Sequence, residues 1–325
     1  NTRIVAPPHG SMLPMSPVRK NILMVACALG LLIPVVIIFI CENMNTRVRG
    51  RKDLESVTVP FIGEIPLFTR KKKGIFRKKP QEVRAIVVKE GSRDIINEAF
   101  RVLRTNLEFM TGKDKASNVI IVTSFNPGSG KSFLTMNIAV SFAIKGKKVL
   151  VIDGDLRHGS ASSYIDSPTK GLSDYLGGRI DNLNEIIVTN PKQKYLDILP
   201  VGTIPPNPTE LLFDDRLKQV IDTVREQYEY VLIDCPPIEL VADTQIIEKL
   251  ADRTIFVVRA GLLELSMLAE LEKIYGEKKY KNMSLILNGT EGSGGRYGYR
   301  YGYRYGYHYG YGSEYHYGSD EKYIE

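Results

Sequence analysis

Val119-Ile-Ile-Val-Thr-Ser124-Phe-Asn-Pro-Gly-Ser-Gly130-Lys131-Ser132 begins as a β-branched run, passes through a glycine-rich loop and enters a helical pattern over 132–145. That order builds a phosphate cradle. Backbone N–H groups of the loop and the positive end of the helix face an anion, Lys131 reaches the β- and γ-oxygens of a nucleotide, and the Ser132 hydroxyl takes Mg2+. The loop departs from GxxxxGK[ST] at one position, because Phe125 stands where the opening glycine belongs. Gly-Lys-Ser alone recurs by chance. Between a strand and a helix, with Pro127-Gly128-Ser129-Gly130 ahead of it, it reads as a P-loop. Gly128, Ser129, Gly130, Lys131, Ser132 and Phe133 are therefore the candidate nucleotide contacts.

Outward from the loop, apolar strand runs alternate with helical stretches. VLVID (149–153), YVLID (230–234), TIFVV (254–258) and SLILN (284–288) join VIIVTS (119–124), with helices expected over 132–145, 209–226 and 243–251. Strands apolar on both faces, joined by helical crossovers, predict an α/β fold with a doubly wound, mainly parallel sheet. Asn207-Pro208-Thr209-Glu210 supplies an N-cap, Pro at the first position and Glu at the third of one helix.

Two strand ends carry carboxylates where open α/β sheets bind ligands. Asp153-Gly-Asp155-Leu-Arg157 ends the second run, and Asp234 closes YVLI before Cys235-Pro236-Pro237 in the form of a Walker B aspartate. One aspartate at a strand end is commonly a cap. Three beside a P-loop suit Mg2+ together with a hydroxyl awaiting deprotonation.

The net charge of +7 is concentrated in one segment. Between Arg47 and Arg84 there are twelve Lys/Arg against four Asp/Glu, so the remainder is near neutral. Three cysteines, Cys27 and Cys41 in an apolar run and Cys235 after a strand, do not make a disulfide framework. Ile22 to Cys41 is uncharged and contains one Pro, Pro34; it is long enough to cross a bilayer and too long for a signal-peptide core. Arg19 and Lys20 precede it, whereas Arg47, Arg49, Arg51, Lys52 and the runs 70–73 and 77–79 follow, which puts the C-terminal side in the cytoplasm. The basic run is a solvated linker or a holder of anionic lipid headgroups, at about 1 kcal/mol per basic side chain. The expected organisation is a Pro-rich periplasmic stub (1–20), a transmembrane helix (21–41), a basic juxtamembrane linker (42–90), a nucleotide-binding domain (91–290) and a tail (291–325). The first residue is Asn, which fits a fragment or a processed form.

The tail holds eleven of the eighteen tyrosines: Tyr297, Tyr299, Tyr301, Tyr303, Tyr305, Tyr307, Tyr309, Tyr311, Tyr315, Tyr317 and Tyr323. Gly at every fourth position and no aliphatic residue before Ile324 give it little means of folding, so it is expected to be disordered. It is either low-complexity filler or a rack of phenol hydroxyls offered to an enzyme.

Together SFNPGSGKS, VLVIDGDLR, YVLIDCPP and the Tyr-rich end resemble the bacterial tyrosine kinases, relatives of the MinD/ParA ATPases. Residues 57–66 (VTVPFIGEIP), 171–178 (GLSDYLGG) and 205–212 (PPNPTELL) agree, and the N-terminal part resembles the end of a polysaccharide co-polymerase. The resemblance implies an ATP- and Mg2+-dependent protein-tyrosine autokinase at the bacterial inner membrane. It would phosphorylate the tail of a neighbouring copy and regulate capsular or exopolysaccharide polymerisation and export. It also implies a phosphatase and the export machinery as partners, and an upstream span and periplasmic region in the fused form. By matched position, Lys131 and Ser132 hold phosphate and Mg2+, Asp155 and Asp234 complete the Mg2+ shell, Asp153 is the base on tyrosine, and Arg157 positions or stabilises charge. The two aspartates of the second motif are interchangeable in these roles. Asn288 falls where relatives contact adenine, although it is equally a strand-end turn residue. Glu98, Arg101 and Arg104 fit the family's ExxRxxR pattern. Their spacing reads as the solvated flank of an amphipathic helix whose apolar face is Ile96, Phe100, Leu103 and Leu107; the resemblance makes that flank a subunit contact in a ring. The rival readings are a MinD/ParA-like ATPase without kinase activity and an RNA- or polymer-binding protein. Three Arg among eleven Tyr are thin for the latter, so no nucleic-acid partner is expected.

Overall fold

The five β-branched runs all become strands of one sheet. The computed structural model describes residues 19–43, 45–68, 85–111, 119–191, 193–238 and 242–291. The chain divides into two units, residues 1–47 and 48–325.

In the first unit, α1 (Arg19–Asn43) is a single helix containing Pro34. Its stretch Arg19–Ile40 is long and apolar enough to cross a membrane. Its apolar side chains, Leu23 and Phe39 among them, are exposed. The Pro-rich stub falls outside the described residues.

The second unit contains β1 (Phe61–Pro66), α2 (Ile95–Thr111), β2 (Val119–Thr123), α3 (Lys131–Ala143), β3 (Val149–Asp153) and α4 (Leu172–Leu176). There follow β4 (Val188–Thr189), β5 (Leu196–Leu199), α5 (Pro208–Leu212), α6 (Asp215–Gln227), β6 (Tyr230–Asp234), α7 (Asp243–Glu248), β7 (Arg253–Arg259), α8 (Met267–Gly276) and β8 (Ser284–Thr290). The sheet order is β1-β8-β7-β2-β6-β3-β5-β4. Every pairing is parallel except β4 with β5.

The alternation of strand side chains divides the core in two. Ile120, Val122, Val149, Val151 and Leu232 pack on one face with Phe100 and Leu103 of α2 and Leu134 and Phe142 of α3. Ile121, Leu150, Ile152, Val231 and Ile233 pack on the other with Val220 of α6, Ile247 of α7 and Leu271 of α8. A strand apolar at every position is thus a strand covered on both sides, as the doubly wound reading expects.

Three details revise the sequence expectations. Phe61–Pro66, placed in the basic linker, is the edge strand β1, and Val48 and Leu54 are buried in the same unit. The segment is short and interrupted by Gly63 and Pro66, so it carries little strand signal of its own and is fixed by its pairing with β8. The helix expected over 209–226 is two helices: α5 ends at Leu212, and Asp214 caps α6 by accepting from the Arg216 N–H at 2.8 Å. Asn207 does precede Pro208 at the start of α5, but its amide donates to Glu210 at 2.8 Å and makes no side-chain cap. The third is Arg104, which lies buried instead of along the solvated flank. A step of three residues rotates about 60° short of a full turn, so successive members of the motif walk toward the apolar face.

Candidate functional site

Topology gathers the acidic strand ends around the glycine loop. β2 is flanked by β6 and β7, and β3 lies beyond β6, so the loop leaving β2 stands over the C-terminal edge of β3 and β6. Asp153 and Asp234 are register partners there, although 81 positions separate them in sequence.

Within the loop, positive φ is needed only at Gly128 (73°) and Gly130 (86°). A Cβ at Gly130 would lie 2.3 Å from the Asn288 amide nitrogen, so backbone conformation and space both require glycine. Phe125 explains the departure at the opening position. Its ring is buried and meets Phe256 edge-on, with centroids 4.9 Å apart, anchoring the loop to β7 from beneath. The Ser124 and Ser129 hydroxyls both donate to the Asn126 carbonyl at 2.8 Å, holding the loop in shape. Lys131 opens α3, its ammonium 3.4 Å from Ser124 Oγ, and no side chain caps the helix N-terminus. N–H groups at such an end suit an anion.

The carboxylates differ in their satisfaction. Asp153 is fully buried; its Oδ2 accepts from the Ser162 N–H at 2.6 Å and the Ser162 hydroxyl at 2.7 Å, and its Oδ1 has no hydrogen-bond partner. Both oxygens of Asp234, also buried, are without one. Burial raises the proton affinity of both groups. The Asp234 charge raises Asp153 further while Ser162 opposes it, and the Ser132 hydroxyl and Lys131 ammonium partly offset the effect at Asp234. Asp155, 7% exposed, accepts at Oδ1 from the Arg157 and His158 N–H groups, each at 3.2 Å. Three unpartnered carboxylate oxygens are what a hydrated divalent cation would satisfy. Ser132, Asp155 and Asp234 are hard oxygen donors fitting Mg2+, which binds few carboxylates and keeps several waters.

Arg157 is held from two sides. It donates from Nε to Asp243 Oδ2 at 3.0 Å and from Nη2 to Thr209 Oγ1 at 2.9 Å, and Thr209 donates to Asp243 Oδ1 at 2.6 Å. Asn288 sits at the loop and donates to the Ser129 carbonyl at 2.8 Å, which gives it a structural role there. Glu98, Arg101 and Arg104 are on α2, apart from these groups; Glu98 pairs with Arg101, and Arg104 donates to the Ser141 carbonyl of α3 at 2.9 Å. The eleven tail tyrosines fall outside the described residues.

Sequence reasoning missed Ser162, Thr209, Asp243 and Arg259. Arg259 ends β7, and its guanidinium would be 3.5 Å from a Cβ at Gly130. Thr209 and Asp243 were visible only as residues at helix starts. Their common partner is what gives them meaning, and it lies 52 and 86 positions away.

The arrangement can hold a nucleotide's phosphates, bind a divalent cation and accept a proton beside them. A family model described as an AAA domain matches residues 117–285. The tyrosine-protein kinase YwqD of Bacillus subtilis (strain 168) is 35% identical over 209 residues, covering 64% of this chain and 87% of its own. The tyrosine-protein kinase etk of Escherichia coli (strain K12) is 31% identical over 274 residues, covering 81% and 37%. The solved kinase domain of Escherichia coli tyrosine kinase ETK superposes with a TM-score of 0.65 at 29% identity, covering 82% of this chain and all of that one. The chain spans 36 to 40% of the length of the longer curated relatives.

Proposed function

This chain belongs to the bacterial tyrosine kinases, and from that membership we propose that it transfers the γ-phosphoryl group of ATP to tyrosine hydroxyls, chiefly those of the C-terminal cluster of a neighbouring copy. The observation carrying the proposal is the surplus of carboxylate. A hydrolytic P-loop site needs one aspartate for metal, whereas here Asp153 adds a second buried carboxylate with an unpartnered oxygen.

The tyrosine oxygen attacks the γ-phosphorus, the bond from that phosphorus to the β–γ bridging oxygen breaks, and ADP departs. The phenolic proton passes to Asp153, whose Oδ2 is fixed by Ser162 and whose Oδ1 is without a hydrogen-bond partner. Mg2+, held by Ser132, Asp155 and Asp234, would neutralise charge on the β- and γ-phosphates. Lys131, the loop N–H groups and Arg259 surround the phosphates, and Arg157 presents fixed positive charge beside Asp155. Glu98 and Arg101, on the exposed flank of α2, belong to a subunit contact within a ring, whereas Arg104, turned inward, braces that helix against Ser141 of α3, and Asn288 borders the base. The basic segment before the domain and α1 support anchoring in the inner membrane with the C-terminal side cytoplasmic. The process regulated is capsular or exopolysaccharide polymerisation and export, with a phosphotyrosine phosphatase as the opposing enzyme.

Intact mass after incubation with ATP and Mg2+ tests the reading. Serial phosphate additions mapping to residues 297–323, abolished by Lys131→Met, are expected. ADP formation without mass gain would instead identify an ATPase. Asp153→Asn should remove transfer while leaving Mg2+-dependent nucleotide binding; if Asp155→Asn alone does so, the roles of the two aspartates are exchanged.

A further inference from the structure

Away from the carboxylate cluster, a cavity of about 280 Å3 opens between the start of α2 and the end of α3. Lys145, on its rim, is fourteen residues beyond Lys131 along and just past α3, which at helical rise is about 20 Å from the phosphate loop. Lys89, Arg101, Arg104 and Lys145 line it, with Glu90 the acidic side chain among its lining and Ser141 in its wall. Glu98, from outside that lining, is committed to Arg101.

Arg104 is the informative member. It is 7% exposed, its Nη1 donates to the Ser141 carbonyl and hydroxyl at 2.9 and 3.2 Å, and its Nε is buried without a hydrogen-bond partner. The nearest carboxylate, that of Glu108, stays 3.8 Å from that nitrogen. Burial disfavours the Arg104 charge and the neighbouring Arg101 adds to this, while Glu108 partly offsets both. An anion seated in the cavity would offset the crowding of like charge that Arg101, Arg104 and the two lysines create there.

The chain itself contains the fitting anion precursor. Its tail has eleven tyrosines and equal numbers of Lys/Arg and Asp/Glu beyond Gly295, so it starts neutral and becomes strongly anionic only when phosphorylated. Tyr297 to Tyr311 stand six to twenty residues beyond Glu291, roughly 13 to 25 Å for a flexible coil and more when extended. At about 280 Å3 the cavity lies at the small end of ligand pockets and is of side-chain scale.

We infer that this cavity is a docking site for a phosphotyrosine of the C-terminal tail, separate from the site that makes it. The inference rests on the proposed kinase reading for the origin of its ligand.

The test uses the full chain in detergent, treated with a tyrosine phosphatase and kept free of ATP. A labelled peptide of residues 296–311 phosphorylated at Tyr303, and its unphosphorylated twin, are titrated by fluorescence anisotropy. The phosphopeptide should bind about tenfold more tightly or better. Lys89→Glu and Lys145→Glu, on exposed side chains that leave the fold intact by circular dichroism, should each erase that preference, and ADP with Mg2+ should not compete. Equal binding of the twins, indifference to both charge reversals, or full displacement by ADP with Mg2+ would overturn the inference. Since the phosphopeptide is synthetic, its binding stands or falls independently of whether the chain phosphorylates itself.

Discussion

Arg157 Nε lies 3.0 Å from Asp243 Oδ2, and the carboxylate it meets is fully buried while the arginine side chain remains about one-third exposed. The buried partner therefore fixes the direction of an arginine that reaches into an open site. Thr209 closes the triangle from α5.

Loosening that triangle should slow transfer more than it weakens nucleotide binding. Asp243→Asn keeps the shape and removes the charge; about a tenfold fall in kcat is expected with little change in KM for ATP, if one charge-assisted hydrogen bond is lost in the transition state. Thr209→Val should give a smaller loss in the same direction. Steady-state rates at varied ATP, with a thermal melt to confirm folding, check both. A rise in KM at unchanged kcat would mean that Arg157 serves binding alone.

The glycine loop gives a sharper expectation. Gly130→Ala meets a φ of 86° and a Cβ contact of 2.3 Å with Asn288, so nucleotide binding should be lost. Asn288→Ala removes the contact but not the φ cost, and also frees the Ser129 carbonyl. The double variant should therefore stay inactive, and titration with a fluorescent ATP analogue reads the result. Recovery of binding in the double variant would show that space, not backbone conformation, sets the requirement for glycine.

Legibility in the sequence followed the range of the forces involved. The phosphate loop, the five buried strands and the paired acidic ends were readable because each is a local pattern: a β-branched run, a turn, a charge at its end. Phe125 departs from the loop pattern, and its packing on Phe256, which gives it a purpose, joins residues 131 positions apart, just past β2 and on the neighbouring β7. Arg104 was read from three-residue spacing as an edge residue, but helical drift carries it inward. β5 (LDIL) and β4 are too short to show periodicity. Asp243 and Thr209 acquire a role only from a third residue brought to them by the fold.

Function and stability should conflict at Asp234. A buried carboxylate without hydrogen-bond partners costs the metal-free protein several kcal/mol before compensation. Asp234→Asn should raise the melting temperature of the nucleotide-free protein by roughly 2–4 °C for each kcal/mol recovered. The same variant should lose the stabilisation that ATP with Mg2+ gives the parent, which is about 2.7 kcal/mol at a hundredfold excess over Kd. Scanning calorimetry with and without nucleotide separates the two effects. A lowered melting temperature in the nucleotide-free variant would show that Lys131 and Ser132 already compensate the charge.

The segment following residue 47 should prove indispensable to the fold. Val48 donates its N–H to the Leu263 carbonyl at 2.9 Å and accepts from the Gly261 N–H at 2.7 Å. Further on, the Arg51 guanidinium lies 4.9 Å from the centroid of the Phe61 ring, and β1 then runs beside β8 while Asn106 of α2 donates to the Ile62 carbonyl at 2.8 Å. Val48, Leu54, Val59, Ile62 and Ile65 are all buried. At about 1.5–3 kcal/mol for each buried aliphatic side chain, their loss rivals the whole stability of a typical domain. A fragment of residues 45–291 should therefore fold and melt cooperatively, whereas 91–291 should be insoluble or melt without a cooperative transition. Equal melting of the two would return the segment to the status of a linker.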